Sequence, residues 1–454
     1  MTNSQNKPLS HASRLQRDDF IHQIANYVIE HNCSVDRAIA DFAKASFMDQ
    51  NFILWLSGSI YTGFAGNSQN FMMQKILKVN FGSNANMLIG NLVHLARDVS
   101  LKHKFANGVL PNIMLPIRAM KIELCKEYQF LSPDELSKTS KLSIFKTAIK
   151  LFRVYFEEVL VFDTSIESER DMKVDLPLEM FKNINNASKF KLSGIADSVY
   201  LKNKEIGIAD LKTSKTKISG YVEMDKNLVK FHDERKLLYS SIEDIDKRLK
   251  KLTKASKNLE EAKTTLVDVE AKLEDAKSNG KKTLALEKRV VSWGDKLQIA
   301  TDNFNLFEKL KKQRLSLYAE VSELNELIKP LKQIFDKEKR EADLAACIKA
   351  HEPQLAHYAL CYMIATGKPV KYLKVEVIVK NEQPIVQVFE WELTDRALEE
   401  AEERIQSIIS LMELALDGVD PLILFRGNPN GYIGSETEAF KDEVKKIIKS
   451  VENQ

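Results

Sequence analysis

Two aspartates and a lysine stand in one short stretch of the chain. Gly194-Ile195-Ala196-Asp197 is followed, after twelve residues, by Asp210-Leu211-Lys212-Thr213-Ser214. Two carboxylates held side by side repel each other unless a cation sits between them. A divalent metal bound through oxygen ligands is the usual solution. Lys212 lies two residues after Asp210, so on a strand both side chains face one side. A lysine there can orient a metal-bound water or stabilise charge on a phosphorus centre. The chemistry suggested is metal-assisted hydrolysis of a phosphate ester.

Positioning requires a hairpin. Val199-Tyr200-Leu201 is a short apolar strand, Lys202-Asn203-Lys204 a polar turn, and Glu205-Ile206-Gly207-Ile208-Ala209 a second apolar run. Such a hairpin brings Asp197 and Asp210 together at one end. Upstream, Gly90-Asn91-Leu92-Val93-His94 lies in an amphipathic helix that continues through Leu95 and Val99. Downstream, Gln354 and Tyr358 are spaced i, i+4 on another helical stretch and can reach the same ligand. An acidic cluster, Ile166 to Met172, precedes a strand expected over 172–177; Glu169 or Glu167 is its candidate contribution, and spacing does not choose between them.

Together these segments resemble the PD-(D/E)XK nuclease superfamily, and more closely its RecB-like exonuclease branch, phage-type exonucleases included. The resemblance covers roughly residues 52–215 and 350–440. It implies an α/β fold, a mixed sheet flanked by helices. It implies that His94, Asp197, Asp210 and the carbonyl of Leu211 hold one or two Mg²⁺ or Mn²⁺ ions, with Asp197, Asp210 and Lys212 as the catalytic set. Glu169 would be an acidic helper. Thr213, Ser214, Lys215, Gln354 and Tyr358 would contact DNA. Trp55 to Phe64 resembles the Ser-Pro-Ser helix start of the family, with Gly58 in place of proline and Ser57 or Ser59 as helix N-cap. Many relatives carry an iron–sulfur cluster on four cysteines. Here Asn67 falls near the first position, and the segment from Phe425 to Glu438 supplies no thiol. No cluster is expected, and Phe425, Tyr432 and Phe440 are the candidates for holding the tail by packing.

The four cysteines, Cys33, Cys125, Cys347 and Cys361, have neither zinc-like nor disulfide spacing and are expected to be buried thiols. A net charge of +3 gives no global polycationic signature, so any nucleic-acid groove must be local. No signal-peptide or membrane-spanning stretch is evident, which predicts a cytoplasmic protein, in the host cytoplasm if phage-encoded.

Residues 1–15 are expected to be disordered. Helices are expected over about 20–44, up to Asp98, over about 113–158, and from a Thr394 cap to Leu416. Strands are expected near 190–201, 205–212, 372–379 and 385–393. From about Lys226 to Arg340 the chain is dense in Lys, Glu, Leu and Ala. Heptad-like frames run out and back around Ser278-Asn279-Gly280, and Gly294 and Pro330 are candidate bends or breaks in the second arm. The reading is an N-terminal tail and helical region (1–50), a nuclease core in two parts (51–222 and 346–454), and an inserted antiparallel coiled-coil hairpin (223–345).

The function expected is a Mg²⁺- or Mn²⁺-dependent deoxyribonuclease, an exonuclease in DNA recombination, repair or processing. The alternative is a DNA-end-binding protein whose hairpin recruits a helicase, a single-strand-binding protein or a second copy.

Overall fold

A computed structural model describes residues 11–58, 67–79, 84–131, 133–181, 183–279, 281–425 and 434–452. The elements, in order, are α1 (His11–His31), α2 (Val35–Met48), β1 (Leu54–Ser57), α3 (Ala85–Asn107), α4 (Met114–Glu127), α5 (Lys141–Glu158), β2 (Ser165–Asp175), β3 (Phe190–Lys202) and β4 (Glu205–Ser214). Then come α6 (Lys226–Lys251), α7 (Ala255–Ser278), α8 (Leu284–Thr366), β5 (Val370–Val379), β6 (Ile385–Glu392), α9 (Asp395–Leu416) and α10 (Gly434–Glu452). The chain divides into two compact units, 1–219 with 344–454, and 220–343.

In the first unit, β3 and β4 join through Asn203 and Lys204, whose φ values are 53° and 72°. Two successive left-handed residues match the twist of the strands they connect. The sheet is mixed: β1 and β4 run parallel to β3 and β5 respectively, and the other pairs are antiparallel. One edge of β3 pairs with β2. Its other edge pairs first with β1, as far as Ser57↔Ser193, and then with β4 from Ser198↔Ala209. The interval Gly194–Asp197 lies between those two ladders.

Strand alternation feeds two cores. Val375, Val377 and Val379 join a core with α2, the C-terminal stretch of α8 and α9, while Ile378 and Leu211 join one with α3, α4 and α5. Successive side chains on a strand point to opposite faces, so helices cover both faces of the sheet. Thr394 caps α9 by accepting from the Ala397 N–H. In the tail, Phe425 stacks on Phe47 and Phe71 at 6.2 and 6.3 Å, and Phe440 is fully buried. Tyr432 lies outside the described residues. No described helix is long and apolar enough to cross a membrane.

Several expectations need correction. Helix α1 begins at His11, within the segment expected to be disordered. Ser57 is the last residue of β1 rather than a helix cap, because Leu54 and Leu56 turn inward from an extended backbone; Ser59 lies outside the described residues. Strand β2 starts at Ser165, so the acidic cluster lies within the strand rather than before it. Cys125 is exposed and Cys33 half-buried, and only Cys347 and Cys361 are buried.

The second unit contains α6, α7 and α8 up to Asp343. The outgoing arm is two helices, not one. Leu252 and Ala255 bond back to the Leu249 and Leu252 carbonyls, and the Thr253 hydroxyl bonds to the Lys250 carbonyl. Such local bonds compete with helix continuation. Helix α8 runs unbroken through Gly294 and Pro330. Gly220 packs so closely on Ala342 that a Cβ there would lie 2.2 Å from its carbonyl oxygen. The Gly220 N–H also donates to Asp343 at 2.8 Å. The unit therefore begins and ends at neighbouring points. Replacing residues 220–343 with a short Gly/Ser linker is expected to leave the first unit folded, with a cooperative melt by circular dichroism. An insoluble or non-cooperative product would show that the units depend on each other.

Candidate metal and phosphate site

Three strands and one helix deliver the side chains. In the β2–β3 register Ser168 faces Ser198 and Arg170 faces Ala196, which sets Glu169 opposite Asp197. Continuing the β3–β4 register one step past Ser198↔Ala209 sets Asp197 opposite Asp210. Three carboxylates thus form a row across neighbouring strands. Glu169 takes a φ of +49°, in the left-handed region that β-strand residues rarely adopt.

Helix α3 brings the imidazole. Asn84 caps it, accepting from the Met87 N–H at 2.9 Å. A Cβ on Gly90 would lie 3.1 Å from Thr213 Oγ1, so glycine lets the helix approach β4 closely. One turn later, His94 Nδ1 lies 3.3 Å from Asp197 Oδ2. Donor atoms of His94, Glu169 and Asp197 all lie within 4.8 Å of one another.

Asp210 belongs to a neighbouring pair. Lys212 Nζ lies 2.8 Å from Asp210 Oδ2 and 3.1 Å from Oδ1. The Leu211 N–H donates to Asp197 Oδ2 at 2.6 Å, while its side chain is buried in the core. Of the expected ligands, His94 and Asp197 come together, and Leu211 bonds Asp197 through its N–H. Glu169 enters the cluster, and the Asp210 carboxylate is held by Lys212.

The electrostatics follow from the row. Burial, and then Asp197, push the Glu169 carboxyl up to about 7. Burial raises Asp210 to about 6 against the pull of Lys212, with Asp197 adding to the rise. Burial also opposes ionisation of Asp197, but His94, Arg97 and the Leu211 N–H outweigh it and hold that carboxyl below its ordinary value. For His94, burial disfavours the proton, and Asp197, Asp210 and Glu169 overcome it, raising the imidazole. Lys212 loses to burial and gains more from Asp210, so it too is raised and is cationic at neutral pH. One imidazole nitrogen with the clustered carboxylates of Glu169 and Asp197 is a donor set suited to a hard divalent cation.

These directions set a pH dependence. Glu169 and Asp210, raised in the fold, cost stability once they ionise, so the metal-free fold weakens as pH rises from 5 to 8. The stabilisation from raised His94 is lost over the same climb. Asp197 acts oppositely, its contribution disappearing as pH falls below the ordinary carboxylate range. Mn²⁺ relieves the repulsion and is expected to raise the melting temperature more at pH 8 than at pH 5.5. His94→Ala should lose much of that increment. Equal shifts at both pH values, or an unchanged shift in the variant, would remove the cluster as the binding site.

The remaining expected contacts are placed as follows. Thr213 and Ser214 end β4, half-buried, and Lys215 is exposed just beyond. Gln354 Nε2 donates to the Tyr358 hydroxyl at 2.5 Å. Tyr358 is only 8% exposed; its ring backs Gly194, where a Cβ would come within 2.9 Å, and Gly58, at 3.0 Å.

Sequence reasoning missed a buried charge network. Arg97, one turn beyond His94, donates to the Tyr155 hydroxyl at 2.8 Å and to Ser198 Oγ at 2.6 Å. Its guanidinium lies 3.6 Å from Glu376, which also accepts from Tyr155 at 2.5 Å and pairs with Lys374 at 2.7 Å. An arginine among Leu92, Val93 and Ala96 was the available signal. His351 was missed as well: burial, and then Lys212, lower its imidazole.

No protein-family model matches the chain, and no curated protein does. A solved structure from Eubacterium rectale, provisionally described as an exonuclease, is similar over 80% of this chain and 82% of that one, at 12% identity and a TM-score of 0.36. A likeness this weak carries no argument about chemistry.

Proposed function

We propose that this chain is a Mg²⁺- or Mn²⁺-dependent deoxyribonuclease of the PD-(D/E)XK superfamily, in its RecB-like exonuclease branch. The observation that supports it most is the gathering of His94, Glu169 and Asp197 within 4.8 Å, beside the Asp210–Lys212 pair. His94, Glu169 and Asp197 would hold the ion, with Asp210 next to them. A bound divalent ion would polarise the scissile phosphate and acidify a water.

The chain's own residues do the rest. Lys212 is cationic, so it serves as an electrostatic partner for charge building on the phosphoryl oxygens, not as a base. Asp210 fixes the ammonium in place. Arg97 bonds Ser198, the neighbour of Asp197, and so positions that carboxylate from beneath. Thr213 and Ser214, at the open end of β4, offer hydroxyls to the phosphodiester backbone.

The test is incubation of purified protein with end-labelled linear and with circular DNA, in Mg²⁺, Mn²⁺ or EDTA. Metal-dependent loss of linear DNA, with circles spared, is expected. Lys212→Ala should slow the reaction by about two to three orders of magnitude, while the Mn²⁺-induced rise in melting temperature survives. No hydrolysis by the wild type under any metal would overturn the proposal.

A further inference from the structure

An open groove of about 440 Å³ is lined by Trp55, Ser57, Gln74, Lys75, Lys78 and Ser193 among others. We infer that this groove is a subsite for single-stranded DNA, in which a base stacks on Trp55 and the flanking phosphates meet Lys75 and Lys78. The inference rests on the nuclease reading and deepens it, by naming the form of DNA that the site takes.

Local structure puts each group in place. Leu54 and Leu56 anchor β1 in the core, so alternation turns Trp55 outward, where it is 38% exposed. Its ring lines the groove, where a base face is a suitable stacking partner. Lys75 sits on a π-helical turn, Met72–Ile76, a distortion frequent at functional sites. The Val79 N–H then reaches back to the Met73 carbonyl, and Lys78 takes a φ of +56°. That backbone carries Lys75 and Lys78, both exposed, to the same groove.

The charge there is not neutralised. Neither lysine has a carboxylate partner among the described residues. Desolvation alone lowers the Lys75 ammonium, with no acid raising it. Lys191 lies 5.7 Å from the Trp55 ring centroid but is already paired with Asp175 at 2.9 Å.

Topology links groove to chemistry. Ser57 and Ser193 are register partners and line the groove at the end of the β1 ladder. Asp197 lies four residues further along β3, where the β4 ladder begins. At about 3.3 Å per residue this is about 13 Å, a few nucleotide steps. The interval between the ladders is floored by Gly194 and Gly58 against Tyr358. A strand held by Trp55 and the lysines is thus fed along β3 to the carboxylates. A duplex, with its bases paired inside, offers no free face to Trp55.

The test is fluorescence anisotropy of a labelled oligothymidylate of about ten nucleotides, in EDTA so that cleavage plays no part. Trp55→Ala is expected to weaken binding about tenfold or more, and Trp55→Phe much less. Lys75→Ala with Lys78→Ala should lower the slope of log affinity against log salt by about 1.4. A duplex of equal length should bind with no dependence on Trp55. Wild-type affinity and salt slope in these variants would overturn the inference, as would equal Trp55 dependence for duplex. If Trp55→Ala misfolds by circular dichroism, exposed Lys78→Glu replaces it, and unchanged affinity there overturns the proposal too. The two readings separate cleanly. Cleavage by wild type with insensitive variants sinks the groove alone. Weakened variants beside a wild type that never cleaves sink the nuclease alone.

Discussion

Asp197→Asn is expected to lower metal-dependent DNA hydrolysis by at least about a thousandfold, roughly 4 kcal/mol of barrier. Asp197 is the centre of the row, flanked by Glu169 and Asp210 and paired with His94 at 3.3 Å. The amide keeps the shape and can still accept the Leu211 N–H, so the fold stands while an anionic ligand is lost. Because Asp197 also repels its neighbours, the variant should bring the Glu169 carboxyl back toward its ordinary value. Two readouts check this: single-turnover cleavage, and titration of Glu169 by NMR without metal. Wild-type cleavage would remove Asp197 from the machinery. An unmoved Glu169 would leave burial and Asp98 as the causes of its shift.

Glu376→Gln is expected to destabilise the protein by about 3–5 kcal/mol, the range for stripping a buried ion pair of one member. Glu376 is fully buried and lies within ion-pair distance of two cations, Arg97 at 3.6 Å and Lys374 at 2.7 Å. Losing its charge leaves both without that carboxylate. Arg97→Met should cost less, because Lys374 and Tyr155 remain to satisfy Glu376. Urea unfolding of the two variants and their double checks the ordering. Equal midpoints for wild type and Glu376→Gln would show that the network contributes nothing net.

Much of this site can be read from residue order. A polar turn between two apolar runs leaves one register for Asp197 and Asp210, and the Gly90–His94 spacing is one helical turn. The part that was misread involves residues whose neighbours come from distant segments. Glu167 to Asp171 carries the charges of a loop, yet it forms strand because β3 supplies hydrogen bonds along its length. Glu169, the expected acidic helper, reaches His94 and Asp197 through a left-handed backbone that no spacing rule announces. Asp210 and Lys212, expected together in the catalytic set, pair at 2.8 Å. Pro330 looks like a break, but the missing hydrogen bond of one proline is tolerated within α8.

The adjacency of Gly220 and Ala342 bears on how the chain is made. Strand β4 ends at Ser214, and its parallel partner β5 begins only at Val370. On the ribosome, the hairpin with Asp197, Asp210 and Lys212 emerges early and must wait with an unsatisfied edge. Long-range pairing of this kind is slow when a floppy loop must be closed by chance. Helices α6 and α7 carry local i,i+4 pairs such as Lys247–Glu243 and Lys272–Asp268, and can form as they are synthesised. Once Gly220 seats on Ala342, the long loop behaves kinetically as a short one. The insert then acts as a built-in clasp, shortening the time for which the nascent edge is exposed to aggregation.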